Sequence, residues 1–392
     1  MKNRVLFLVL CVFLNVGLAL GQSKEDRVNS EAVSKAWNLK AVSDFKIAEG
    51  GKATYYKDKR NGALAVNAAD KSQRDVFASA EITFEGKPGF YKPFLRTMTE
   101  NDGESVYKIL LNGNEIITIT NPKTKVSFER VTHDLDVIML KTNDIVEIQS
   151  KAVTNGEIPE NDGTAWSRGR WTGLDLIPKE LLSNKKEFLQ ALLKDVVPFE
   201  ENEGLLEVEA EDFHHKSNNG SPRDWYVRSK TSIVPIKDII LEDHADSASG
   251  EAYLEALPDT RVTHDDTLVK NENFFGVPGT GGTVSYKVKI QNPGTYYVWV
   301  RAYSTGSEDN GLHVGLDGEW PESGARMQWC KGKNSWAWSS AQRTKEKHCG
   351  IPQKITLNIK EKGIHYVTFS MREDGFEFDK FILSKAVDFR PE

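Results

Sequence analysis

The chain has 392 residues, 57 Asp and Glu against 51 Lys and Arg, a net charge of −6, and 39% hydrophobic and 28% charged residues. This is the composition of a globular protein long enough for two or three domains, not of a disordered or membrane-embedded one. The acidic balance and the lack of any dense Lys/Arg run argue against a nucleic-acid partner.

Lys2 and Arg4 precede an apolar run over residues 5–20 that is broken by Asn15 and is short for a membrane span. Ala19 and Gly21 stand where a cleavage site wants small residues, so residues 1–21 read as an export signal and no membrane span is expected. Leu10, before Cys11, is not the small residue of a lipid-anchor signal. The protein is therefore expected to be secreted or periplasmic. Losing the leader removes Cys11 and leaves Cys330 and Cys349 as an even pair in an oxidising compartment, read as a disulfide. A metal site built from the two cysteines and His348 is the competing reading, and it lacks a fourth ligand and the usual paired spacing.

Residues 28–178 form a first module of short β-rich runs, at 53–56, 63–66, 76–84, 105–111, 115–120, 136–140 and 145–149. Turns rich in Gly, Asn, Asp and Pro separate them. Residues 179–203 read as a helical linker: Pro178 opens it, and Phe188, Leu189, Leu192 and Leu193 lie on one face. The run Glu-Glu-Asn-Glu at 200–203 reads as a solvated hinge after it. Residues 204–388 return to strands, with clear period-two alternation over 284–290 and 296–301. Such a succession indicates β-sandwiches.

The halves also parallel each other. Each has a strand, a Pro-Gly turn, an apolar–aromatic strand and an acidic Asn/Asp/Gly loop. The run Gly173-Leu-Asp-Leu-Ile-Pro parallels Phe378-Asp-Lys-Phe-Ile-Leu, which indicates tandem duplication.

Between Cys330 and Cys349 lies a polar loop carrying Trp336 and Trp338, two residues apart and so on one face. Pinned by a disulfide, worth about 3 kcal/mol in the chain-entropy model, it would hold indoles where sugar C–H faces can stack. Trp336 is expected to be exposed, with Trp338 beneath or beside it. Trp299, Tyr297 and Tyr286 read as strand packing, and Trp320 and Trp329 as covers for the sandwich end.

The segment Glu207-Val-Glu-Ala-Glu-Asp212, the returning strands and the closing Phe376-Glu-Phe-Asp-Lys-Phe-Ile-Leu resemble carbohydrate-binding modules of the family 6 and family 35 type. The resemblance implies an all-β fold of two tandem jelly-roll sandwiches joined by a short helical linker, the first a diverged copy. It implies a structural Ca²⁺ held by Glu209, Glu211 and Asp379, in keeping with the oxygen-rich shell such a cation takes. It also implies that Trp336 stacks on sugar and that Phe275, ahead of a Gly-rich turn, supplies a second aromatic. Glu377 stands where the family frequently has an Asn that bonds sugar hydroxyls, which puts the family's neutral-sugar preference in question. The stretch from Asn310 to Lys380 is similar to modules attached to enzymes that degrade algal polysaccharides.

The first module lacks the Glu-x-Glu opening, leaving Asp175 without calcium partners. Its Trp166, Arg168, Arg170 and Trp171 suggest an anionic-glycan site, Arg being suited to carboxylate or sulfate; a loop packed at the domain junction is the alternative. The expected function is a non-catalytic, monomeric binder of a polysaccharide or oligosaccharide. The rivals are a secreted polysaccharide hydrolase or lyase, drawing on the acidic loops at Asp265-Asp266, Glu308-Asp309, Glu322 and Glu373-Asp374, and an envelope adhesion scaffold.

Overall fold

The computed structural model describes residues 35–161, 163–236 and 242–392; the leader reading lies outside them. Among the described residues no helix is long and apolar enough to cross a membrane. The fold is all-β. The first sandwich packs a seven-stranded sheet, centred on Gly89–Met98 and Trp171–Pro178, against a five-stranded sheet containing Phe77–Thr83, Ile145–Lys151 and Val106–Leu111. The second packs a seven-stranded sheet, centred on Gly294–Tyr303 and Glu377–Ser384, against a six-stranded sheet built on Thr283–Ile290, Gly363–Met371 and Gly311–Leu316. Alternation buries one face of each strand. Val284, Tyr286, Val288 and Ile290 therefore meet Val298, Val300, Phe378 and Phe381 in one core.

Strand register is alike in the two sandwiches. In the first sandwich Lys40 and Arg96 both oppose Gly173, and the ladder shifts between Gly173 and Trp171. In the second, Glu209 and Arg301 both oppose Lys380, and the ladder shifts between Arg301 and Ala302. The residue bulged out by the shift is Thr172 in one and Asp379 in the other. Glu209, Glu211 and Asp379 thus have Lys40, Val42 and Thr172 as counterparts. Asp175 lies further along, opposite Phe94, and is tied to Arg96 at 2.5 Å and Asn38 at 2.9 Å. It is not a calcium residue that lost its partners.

The connection between the sandwiches is a 3₁₀ turn, Lys179–Ser183, followed by the helix Lys185–Leu192. Asn184 caps the helix by accepting from the Glu187 N–H at 3.2 Å. Its apolar face meets Phe94 and Ile177 of the first sandwich and Tyr366 of the second. The Lys287 ammonium donates to the carbonyls of Leu193, Lys194 and Val196 at 2.8, 3.1 and 2.8 Å, satisfying a helix end that would otherwise be short of donors. The segment expected as a solvated hinge is anchored instead. Phe199–Glu200 pairs in parallel with Thr283–Ile290, and buried Glu201 accepts from the N–H groups of Gln291 and Asn292 at 2.7 and 2.9 Å. A run of charges looks solvated in sequence because its backbone partners lie some 90 residues away.

Asp317 accepts from Lys186 of the helix at 2.8 Å and lies 2.9 Å from the His365 imidazole. The hydrogen bond to Asp317 raises His365 above 6.5. Burial works against the charge on Asp317, but His365 and Lys186 outweigh it and hold its carboxyl below 3.8. The histidine contribution is complete below its unfolded pKa and is lost as pH rises through its folded value. The aspartate contribution is lost as pH falls below the carboxylate range. His365→Gln is therefore expected to cost about 1 kcal/mol near pH 5.5 and little near pH 8.5 in denaturant unfolding. A penalty that stays constant across that range would show that the pair is not ionised.

Candidate functional site

The outward face of the second sandwich's seven-stranded sheet carries a single row of side chains contributed by five strands. Register places Tyr226 opposite Glu255, Glu255 opposite Glu377, Glu377 opposite Tyr303, and Tyr303 opposite Trp336. Strand neighbours at such spacing are in side-chain contact. Two acids in the middle are thus flanked by aromatics on both sides.

The Cys330–Cys349 disulfide forms, with the two Cα atoms 5.4 Å apart. The expected loop between them contains an edge strand, Trp336–Ser339, paired to Gly294–Tyr303. Trp336 and Trp338 share a face and are both half-buried. Trp336 meets Tyr253 and Tyr303 edge-on at 5.3 and 5.4 Å, with the Arg301 guanidinium 5.6 Å from its ring centre. Its Nε1–H donates to Ser247 Oγ at 3.1 Å. Trp338 donates to the carbonyl of Glu392 at 2.9 Å, so the C-terminal residues lie beside it.

Glu377 is 4% exposed, and its two oxygens each lie 2.9 Å from His244 Nδ1. His244 in turn stacks on Tyr303, with centroids 3.8 Å apart and planes 18° from parallel. The hydrogen bond to Glu377 raises His244, and burial raises Glu377. Glu255 is paired with Arg228, yet burial pushes it up to about 8. Each acid faces a basic side chain of its own, Arg228 for Glu255 and His244 for Glu377, so the pair forms a polar floor under the aromatics.

The other expected site residues separate from this row. Phe275 is 1% exposed and lies in the core, its ring filling the space left by Gly281, where a Cβ would come within 2.8 Å of it. It presents no surface to a ligand. In the first sandwich Trp171 is fully buried and packs edge-on against Phe45 at 4.9 Å. Arg170 is 8% exposed and pairs with Asp58 at 2.9 Å and with Glu100. Arg168 donates to the Tyr56 hydroxyl at 3.3 Å, and Trp166 lies under Arg74. With Arg170 neutralised from within and Trp171 facing the core, these two residues offer nothing to an anionic glycan; Trp166 and Arg168 stay half-buried at the surface. The acidic loops are engaged as well. Glu308 pairs with Arg261, Glu373 with Arg372, and Asp374 with Arg223 at 3.1 Å, while Asp309 accepts from the Thr305 and Gly306 N–H groups at 2.6 and 3.0 Å.

Glu209 ends the strand Leu205–Glu209, and Glu211 falls in the 3₁₀ turn Ala210–Asp212, so the two are not on one strand as expected. Both still gather at the Ser249–Gly250 turn. Ser249 Oγ donates to Glu209 at 2.8 Å and its N–H to Asp379 at 2.7 Å, and a Cβ on Gly250 would stand 3.4 Å from a Glu211 oxygen. The Arg301 guanidinium takes the other Asp379 oxygen at 2.5 Å. Among the described residues no three His, Cys, Asp or Glu side chains converge in metal-holding geometry. However, Glu209 Oε2 and Glu211 Oε2 are buried without any hydrogen-bond partner. Burial, with Glu209, Asp212 and Asp379 nearby, pushes Glu211 up to about 8. Two orphaned carboxylate oxygens are a donor set that fits a hard cation.

Fold and site together define a chain of two β-sandwiches with an aromatic–acidic strip on one sheet. No family model matches the sequence. Over 202 residues it is 54% identical to "Uncharacterized protein P23" of Formosa agariphila, a match covering 52% of this chain and 49% of that protein. The chain thus spans about half the length of that curated relative. Among solved structures it is similar to a Paenibacillus xanthan lyase, at 12% identity over 89% of this chain and 26% of that one, with a TM-score of 0.27. It is similar to a family 35 carbohydrate-binding module from Clostridium thermocellum, at 15% identity over 37% and 98%, with a TM-score of 0.25. It is also similar to a family 36 module in complex with calcium and xylotriose, at 16% identity over 36% and 97%, with a TM-score of 0.23.

Proposed function

We propose that this is an exported, non-catalytic protein that binds a polysaccharide along the seven-stranded face of its second sandwich. The observation that carries the reading is the registered row Glu255–Glu377–Tyr303–Trp336. Aromatic rings fixed on paired strands stack against sugar rings with little ordering cost, and buried acids, each beside its own cation, bond the hydroxyls. Calcium belongs to the same reading. Glu209, Glu211 and Asp379 would hold it, and when bound it would supply positive charge that ties the first strand to the last; the first sandwich, with Lys40, Val42 and Thr172, would hold none.

Retention of the protein on immobilised polysaccharides tests the reading, using neutral plant glycans, agar and carrageenan, alginate and ulvan, with the supernatants assayed for released sugar. Retention without release is expected. Release of oligosaccharides would make the protein an enzyme, and the absence of both would leave an adhesion scaffold.

A further inference from the structure

The outward face of the six-stranded sheet is polar, and it is turned toward the other sandwich. Register sets His215, Ser285, Thr368 and Gly315 side by side across four strands. The Ser285 and Thr368 hydroxyls lie 3.0 Å apart. Because the row ends in glycine, the indole of Trp320 can lie over it. A Cβ on Gly315 would come within 2.8 Å of that ring, and one on Gly279 within 2.5 Å of its nitrogen. The linker helix closes the opposite side with Phe188 and Lys185, and the first sandwich adds Lys92, leaving a cavity of about 150 Å³. No part of the polysaccharide-binding face contributes to it.

The charges there are unevenly matched. Lys92 is paired with Asp134 at 2.7 Å, and Glu319 is exposed at the mouth. Lys185 has no carboxylate within ion-pair distance among the described residues; its ammonium lies 5.8 Å from the centre of the Phe188 ring. Lys185 is exposed along much of its length, but desolvation near its ammonium and the neighbouring Lys92 outweigh the pull of Asp134 and push it down, and burial with both lysines holds His215 at about 3. His215 is therefore neutral, with one donor and one acceptor nitrogen beside the Ser285 and Thr368 hydroxyls. The cavity combines an aromatic face, neutral hydrogen-bonding groups and one cation that no carboxylate contacts directly, with Asp134 acting on it from a distance. It is smaller than the roughly 300 Å³ at which sites for drug-sized molecules begin, so it suits one ring and not a chain.

We propose that this junction cavity binds a single sugar ring carrying an anionic substituent, a carboxylate or a sulfate ester, with its ring face on Trp320 and its anion at Lys185. The first sandwich, the linker and the second sandwich all contribute walls, so an occupant would also fasten the two halves together. The inference does not rest on the polysaccharide-binding face, and the test keeps the two apart.

Full-length protein is titrated calorimetrically with galacturonate and glucuronate, with galactose 6-sulfate, and with neutral galactose and glucose. At least one acidic sugar is expected to bind ten or more times more tightly than the neutral ones, a tenfold gap corresponding to about 1.4 kcal/mol. The two acidic arms then tell carboxylate from sulfate. Lys185→Ala, in the exposed first turn of the linker helix, is expected to weaken that binding about tenfold, and Lys185→Arg to restore most of it. Trp320→Phe is expected to weaken it for every sugar, whereas Trp336→Ala leaves it unchanged. No saturable binding by any of the five sugars would overturn the proposal. So would equal binding of neutral and acidic sugars, an unaffected Lys185→Ala variant, or loss of binding in Trp336→Ala.

Discussion

Replacing Trp336 with alanine is expected to weaken polysaccharide binding about 30-fold or more, the size of effect seen when a central aromatic anchor is removed. The indole is half-buried and already touches Tyr253, Tyr303 and the Arg301 guanidinium, so its removal also has a structural cost. A partly exposed aromatic is worth less than the 3–5 kcal/mol of a core one; about 1–2 kcal/mol follows, or a few degrees in melting temperature. Two companions separate the effects. Glu377→Gln keeps the shape but ends the charge facing His244, and is expected to weaken binding with a smaller change in stability. Trp338→Ala removes the neighbouring indole, whose N–H is already used on Glu392, and is expected to affect binding much less. Affinity electrophoresis against the polysaccharide that retains the wild type gives the answer. An unaltered Trp336→Ala isotherm would remove the row from the binding surface, whatever the melting curve shows.

Much of the architecture is legible in the sequence because alternation is a local signal. The strands, the apolar face of the linker helix and the cysteine pair all follow from residues within a few positions of one another. The site was legible only where strand parity reaches it. Tyr303 shares a face with Tyr297, Trp299 and Arg301, and counting in twos from Arg301 arrives at it. Glu255 and His244 carry no such signal. Glu255 reaches Glu377 through pairing between strands more than 100 residues apart, and His244 reaches it from a distant turn; a single sequence displays neither.

The same limit explains Phe275, Arg170 and Trp171. An aromatic before a Gly-rich turn is equally a ligand platform or a core plug, and Gly281 decides for the core by leaving space for the ring. Arginines between tryptophans look like an anion site until Asp58 and Glu100, contributed by two other segments, neutralise one of them. In sequence Trp320 reads as a cover for the sandwich end, which is half of its position. What it covers is a face whose other wall belongs to the linker helix and the first sandwich.

Chelation is expected to lower the melting temperature of the second sandwich and leave the first unchanged. A cation at 100 times its dissociation constant stabilises the folded state that binds it by about 2.7 kcal/mol, or roughly 5–10 °C for a domain of this size. The asymmetry follows from register: Glu209, Glu211 and Asp379 surround the Ser249–Gly250 turn, whereas Lys40, Val42 and Thr172 stand at the corresponding places and offer no carboxylate. Without a metal, Glu209 and Glu211 each bury an oxygen that bonds to nothing, a cost of about 1–3 kcal/mol per group. The double variant Glu209→Gln/Glu211→Gln is therefore expected to do two opposite things. It abolishes the response to calcium and, in the presence of chelator above about pH 8, where Glu211 is ionised, makes the second sandwich more stable than the wild type, because a neutral amide is cheaper to bury than a charge. Magnesium should substitute poorly, since it is held less well by a flexible set of carboxylates. Calorimetry with and without chelator, read alongside hydrogen exchange to assign each transition to a sandwich, distinguishes the outcomes. A wild-type transition indifferent to both chelator and added calcium would mean that Arg301 and Ser249 are the partners Asp379 was built for. The two glutamates would then be a cost the fold bears unaided.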